Sequence, residues 1–101
     1  MKHLALTIIL NEHKMSGEIP LYEVIVRRLA RVHIAGVTVT AGIMGYGKHG
    51  EVHRKRLFGV SDERPVTIFA VDQEEAIRAV LPEIRELLSD GLICVSEVEV
   101  L

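Results

Sequence analysis

Two amphipathic helical stretches, each bracketed by short apolar runs, constrain this chain more than any other feature. Residues 21–33, LYEVIVRRLARVH, place Leu21, Tyr22, Ile25, Val26, Leu29 and Val32 at helical spacing. Glu23, Arg27, Arg28 and Arg31 take the opposite face, with Glu23 and Arg27 at i,i+4, where an ion pair supports a helix. The second stretch turns Ala76, Ile77, Val80, Leu81, Ile84, Leu87 and Leu88 inward. Pro82 lies within it and is expected to kink it, because proline removes a hydrogen bond and crowds the preceding turn. Pro20 suits the first turn of the first helix, and Gly36 is expected to close that helix as its left-handed residue. Asp72 to Glu75 spells D-x-x-E, a variant capping box for the second helix, which Gly91 is expected to end.

Around these helices lie four runs that read as strands: Leu4 to Leu10, VTVTAGIM from Val37, PVTIFAV from Pro65, and LICVSEVEVL from Leu92. NEHKMSGEIP, between the first strand and the first helix, reads as a polar loop. The order is therefore βαβ-βαβ, two units of similar length. This is the α+β, ferredoxin-like split βαβ arrangement: a four-stranded antiparallel sheet with both helices on one face. One domain, residues 1–101, accommodates it. The other sheet face is left uncovered by strands rich in Val and Ile, so a homo-oligomer with sheets packed inward is expected.

Composition narrows the function classes. Apolar residues make up 49% of the chain and aromatic residues only 4%, so aliphatic side chains must fill the core. A net charge of −2 argues against a dedicated nucleic-acid or membrane-surface protein. Cys94, the lone cysteine, sits in an apolar run and reads as a small buried hydrophobe. The apolar stretch at the N-terminus is too short to span a bilayer, and a cytoplasmic location is expected.

The informative segment lies between the second and third strands. Roughly 20 residues without periodicity, Gly45 to Arg64, make an uncommonly long loop, which in a compact domain is usually functional. Between Lys48 and Arg56, four Lys/Arg (Lys48, Arg54, Lys55, Arg56) stand against one acid, Glu51: a local charge of +3 in a chain that is negative overall. Gly45, Gly47, Gly50 and Gly59 permit close backbone approach to a ligand. Gly45, Gly47 and Gly50 also spell G-x-G-x-x-G. That is not a dinucleotide fold, because no helix follows directly and the chain is too short for one. His49 and His53 would share a side only if the segment were helical, and no third metal ligand is evident. Arg54, Lys55 and Arg56 lack the stacking aromatics of a nucleic-acid site. A solvated loop whose charges maintain solubility is a further reading. A phosphate-bearing small molecule, held at the glycine base of the loop, fits the composition best.

The segment GVTVTAGIMGYGKHGEVHR resembles the second strand and T-loop start of PII signal-transduction proteins, in which a G-x-T-V strand runs into G-F-G and a basic, glycine-containing loop. The whole chain is similar to a PII-like family known only as domain of unknown function number one-ninety. PLYEVIV in the first helix, GVTVTAGIMGYG, SDERPV before strand three, the VD helix start, LPEI and the V-x-V end carry that likeness. It implies a homotrimer with ligand sites in the clefts between subunits, and a regulatory rather than catalytic role. An adenine nucleotide (ATP, ADP or AMP) would bind at the base of the loop. Carried over by motif, Gly45, Tyr46 and Gly47 would form that base and Lys48 would sit near the phosphates. Arg64 falls where PII has a lysine at the loop's exit, Arg54 and Arg56 would assist, and Asp90 and Gly91 match the end of the second nucleotide loop.

The chain departs from PII in three places. SDGL is shorter than PII's second loop and puts Leu92 where a lysine faces phosphate. PII's basic C-terminal extension has no counterpart before Leu101, and His53 lies near the position of the T-loop tyrosine that PII modifies. The resemblance further implies a partner such as a membrane transporter or channel, engaged by the loop from His49 to Gly59. No nucleic acid and no obligatory metal are expected. A metal-responsive trimer resembling divalent-ion-tolerance proteins, using His49 and His53, stays open beside this reading. So does an enzyme with a site between subunits, although no nucleophile lies beside a base in the sequence.

Overall fold

A computed structural model describes residues 2–46 and 64–101. The main elements are β1 (His3–Asn11), α1 (Leu21–Arg31), β4 (Val37–Ala41), β5 (Pro65–Gln73), α2 (Glu74–Leu87) and β6 (Leu92–Val98). A two-residue hairpin, β2 (Met15–Ser16) and β3 (Ile19–Pro20), stands between β1 and α1, where the sequence reads only as polar loop. The four long strands form one sheet in the order β4-β5-β1-β6, antiparallel throughout. This is the ferredoxin-like split βαβ arrangement expected from the sequence.

The alternation along β1 sets the layers. Leu4, Leu6, Ile8 and Leu10 are buried on one face, and Val66, Ile68 and Ala70 of β5 stand opposite even-numbered β1 residues on that same face. Leu21, Ile25 and Leu29 of α1 and Ile77, Val80 and Ile84 of α2 complete the core. The helices also meet through an Arg28–Glu83 ion pair, and Glu23 pairs with Arg27 along α1 as their i,i+4 spacing suggests.

Helix ends depart from the sequence reading. Pro20 precedes α1 as its cap, and the N–H of Leu21 is satisfied by the carbonyl of Lys14 at 2.8 Å. His33, not Gly36, takes the left-handed conformation that closes α1, with φ 63°. The N–H of His33 donates to Ala30 O and that of Ile34 to Leu29 O, both at 3.0 Å. This is a Schellman motif, and the buried Ile34 seals it against Leu29. Gly36, at φ 125°, lies in the connection beyond.

Asp72 does not cap α2 either. It belongs to β5, the cap position is Gln73, and the Gln73 side chain makes no cap hydrogen bond. Its Oδ2 instead accepts the N–H of Ala35 at 2.9 Å, and its Oδ1 accepts that of Gln73 at 2.7 Å. Helix α2 runs unbroken through the exposed Pro82 and ends at Leu87, before Gly91.

The uncovered sheet face is more mixed than the strand composition suggests. The register places Ala5, Ile9, Phe69, Val71, Leu92 and Val98 there, but also Thr7, Thr38, Thr40, Thr67, Cys94 and Ser96. Most of the strand Val and Ile have gone to the helix side. Cys94 is exposed on this open face, opposite Thr7, and is not the buried hydrophobe its apolar neighbours imply.

Candidate functional site

The strand register gathers four chain segments at one end of the sheet. Asn11 pairs with Pro65, Ala41 with Val66, and Ile9 with Leu92. The ends of β1 and β4 therefore lie beside the starts of β5 and β6. This end carries the residues after β1 (Glu12 to Lys14), both ends of the long β4–β5 connection, and the Asp90–Gly91 turn.

Strand β4 ends at Ala41, earlier than VTVTAGIM suggests. The N–H of Gly42 still donates to Pro65 O at 2.6 Å, but Pro65 has no N–H to return, so the ladder stops there. A Cβ on Gly42 would lie 2.7 Å from Pro65 Cγ, so the two chain ends meet only because Gly42 is bare. Beyond it Ile43, Met44, Gly45 and Tyr46 are exposed, with Ile43 90% and Tyr46 71% accessible. A Cβ on Gly45 would make only ordinary contact with the Pro65 ring, so packing among the described residues does not require glycine there.

Arg64 closes the connection from the other side. Its carbonyl accepts the Glu12 N–H at 2.8 Å. Its guanidinium donates from Nε to Glu12 Oε1 at 3.0 Å and from Nη2 to Glu12 Oε2 at 3.3 Å. Hydrogen bonding and charge from Arg64, aided by His13, hold the Glu12 carboxyl below the usual glutamate range. The sequence reading names Arg64 but misses Glu12, whose partner lies 52 residues away. Nothing in NEHK signals that pairing.

Of the residues expected at a ligand site, Gly45, Tyr46 and Arg64 stand together at the β4–β5 end. Asp90 and Gly91 share that end of the sheet but lie across it: β4 and β6 are opposite edges, three strand spacings or roughly 14 Å apart. Among the described residues these two groups do not come into contact. Gly91 also has a structural reason to be glycine, since a Cβ there would lie 2.7 Å from the carbonyl oxygen of Ile9. Gly47, Lys48, Arg54 and Arg56, and the metal candidates His49 and His53, lie outside the described residues. Among the described residues no three His, Cys, Asp or Glu gather as a metal site, and no helix is long and apolar enough to cross a membrane. A shallow recess of about 160 Å³, lined by Lys2, Gln73, Glu74 and Glu75, lies at the opposite end of the sheet.

Known proteins of similar sequence and shape share this architecture. Solved structures of CPII from Thiomonas intermedia K12, described as a nitrogen regulatory PII-like protein, superpose over 99% of this chain and 89% of theirs. The TM-score is 0.72 at 24% identity for the form bound to ADP, AMP and bicarbonate, and 0.70 for the form bound to ADP and bicarbonate. At that identity they show a shared PII-like fold. A UPF0166 protein of Aquifex aeolicus is 33% identical over 101 residues, spanning all of this chain and 95% of its own. Another UPF0166 protein, from Methanocaldococcus jannaschii, is 41% identical over 88 residues, spanning 86% of this chain and 80% of its own. The DUF190 model, described as "Uncharacterized ACR", matches residues 3–100. From end to end of the described fold, then, this chain has a PII-like fold and belongs to the DUF190 family.

Proposed function

We propose that this protein is a homotrimeric, cytoplasmic regulator of PII-like type that binds an adenine nucleotide at the base of its β4–β5 loop. The observation that carries the proposal is the loop base itself. The Gly42–Pro65 bond pins the two ends together, Tyr46 is exposed four residues beyond it on one side and the Arg64 guanidinium lies just before β5 on the other. An exposed ring suits the face of a purine, and a guanidinium suits two oxygens of a phosphate. CPII, which shares the fold, has been solved with ADP and AMP.

The separation of Gly45–Tyr46 from Asp90–Gly91 supports a site between subunits. One copy would supply the loop base and a neighbouring copy the turn before β6. Lys48, Arg54 and Arg56 would add positive charge from the loop. The apolar members of the open sheet face, among them Ile9, Phe69, Val71, Leu92 and Val98, would pack in the trimer interior. A change in loop conformation on binding would be read by a partner such as a transporter or channel.

Calorimetry with ATP, ADP, AMP and cyclic dinucleotides, with and without bicarbonate, tests the nucleotide reading. Heat is expected from at least one adenine nucleotide. Silence from all of them, at protein concentrations that detect submillimolar affinity, sinks it. Light scattering tests the assembly: the expected mass is three times the 11.3 kDa of one chain.

A further inference from the structure

The Arg64–Glu12 pair occupies the very group that the nucleotide reading assigns to phosphate. We infer that Glu12 is a built-in competitor of the anionic ligand, occupying the Arg64 guanidinium until phosphate displaces it. This deepens the proposed function and rests on it.

Both carboxylate oxygens of Glu12 are engaged, by Nε and Nη2 of Arg64 at 3.0 and 3.3 Å. Two parallel N–H···O bonds to a planar fork are also how a guanidinium receives two phosphate oxygens. Glu12 holds the Nε–Nη2 edge, so a phosphate taking that edge must displace it, whereas one taking the Nη1–Nη2 edge would share the guanidinium's charge with the carboxylate.

The backbone keeps the acid beside the guanidinium. Glu12 N–H is fixed to Arg64 O at 2.8 Å. The turn after it is closed by Lys14 N–H on Asn11 O at 3.1 Å and by His13 N–H on Asn11 Oδ1 at 2.7 Å. A displaced Glu12 carboxylate therefore stays near the incoming anion and repels it. Among the described residues the charge partner of Glu12 is Arg64, and His13 on the same turn also favours its ionised form. Because 47% of the Arg64 side chain and 26% of that of Glu12 are accessible to solvent, the exchange needs no opening of the core. An ion pair so exposed is weak, which sets the effect on affinity at about two- to fivefold.

Glu12→Gln tests this, since it keeps the shape and the backbone bond and removes only the charge. Titrated calorimetrically with ADP, E12Q is expected to bind about two- to fivefold more tightly than the wild type, while Arg64→Gln binds more weakly. Carbon-13 NMR of the Glu12 carboxyl should show it titrating at higher pH in the ADP-saturated protein, because Arg64 has been drawn away. Equal or weaker ADP binding by E12Q overturns the inference while leaving the nucleotide reading intact, and so does a Glu12 titration that ADP does not move. No heat from either wild type or E12Q overturns both. Heat from E12Q alone is the extreme form of the expected result.

Discussion

Asp72 Oδ2 accepts the backbone N–H of Ala35 at 2.9 Å, joining the end of β5 to the connection between α1 and β4. The two residues are 37 apart in sequence, and the bond adds a polar tie between two βαβ units already joined by the sheet and the core. Removing the acceptor leaves the exposed Ala35 N–H to solvent and releases the Gln73 N–H held by Oδ1. Asp72→Ala should therefore cost about 1–2 kcal/mol of stability, discounted for the solvent that reaches the pair. Asp72→Asn, which keeps one acceptor, should cost less. Urea denaturation of the two variants checks the order, and equal losses would refute the assignment.

Gly91 meets the carbonyl oxygen of Ile9, and backbone yields less readily than a side-chain tip. Gly91→Ala should destabilise the fold by about 1–3 kcal/mol through overpacking. The loss should appear in the absence of any nucleotide. If G91A melts at the wild-type temperature, the close approach is not a constraint.

His33 holds the left-handed position after α1 at φ 63°. Glycine adopts that conformation without the Cβ penalty. His33→Gly should raise stability by up to about 1 kcal/mol, with the Schellman bonds to Ala30 and Leu29 retained. Thermal melting reads the sign, and a lower midpoint would contradict it.

The depressed Glu12 pKa gives a pH dependence of definite sign. A carboxyl whose folded value lies below its unfolded value binds fewer protons when folded. Its contribution is present above the unfolded value and is lost as pH falls through the folded one. In Arg64→Ala the carboxyl should titrate nearer its ordinary value. The stability gap between wild type and R64A should then be open at neutral pH and close in acid. A gap that widens in acid would reverse the sign and remove Arg64 as the cause.

What the sequence made legible was what local periodicity encodes. Leu4, Leu6, Ile8 and Leu10 alternate because a strand buries one face. Ile77, Val80, Ile84 and Leu88 recur at helical spacing because a helix buries one stripe. Strand and helix order then sufficed for the topology. Features decided by distant partners were not legible. Asp72 looked like a cap from its neighbours, and only the fold brings Ala35 to it. Cys94 looked buried because its neighbours are apolar, but strand alternation turns it to the open face. His33 displaced Gly36 as the closing residue because the backbone chose the position before the better residue type could. At the candidate site, Tyr46 and Arg64 were found through motif resemblance, whereas Glu12 belongs to no motif and became visible only through strand register.

The Gly42–Pro65 bond has a consequence for the history of such chains. It brings the two ends of residues 42–64 within one strand spacing before any of the intervening chain is considered. For ends already joined, doubling an insert adds only about 0.6 kcal/mol of closure entropy. The β4–β5 edge is thus a socket: segments of different length and chemistry can be exchanged there while the sheet beneath stays the same. A foreign peptide or a small reporter domain grafted between those residues should leave the host able to fold, so one scaffold could serve many messages.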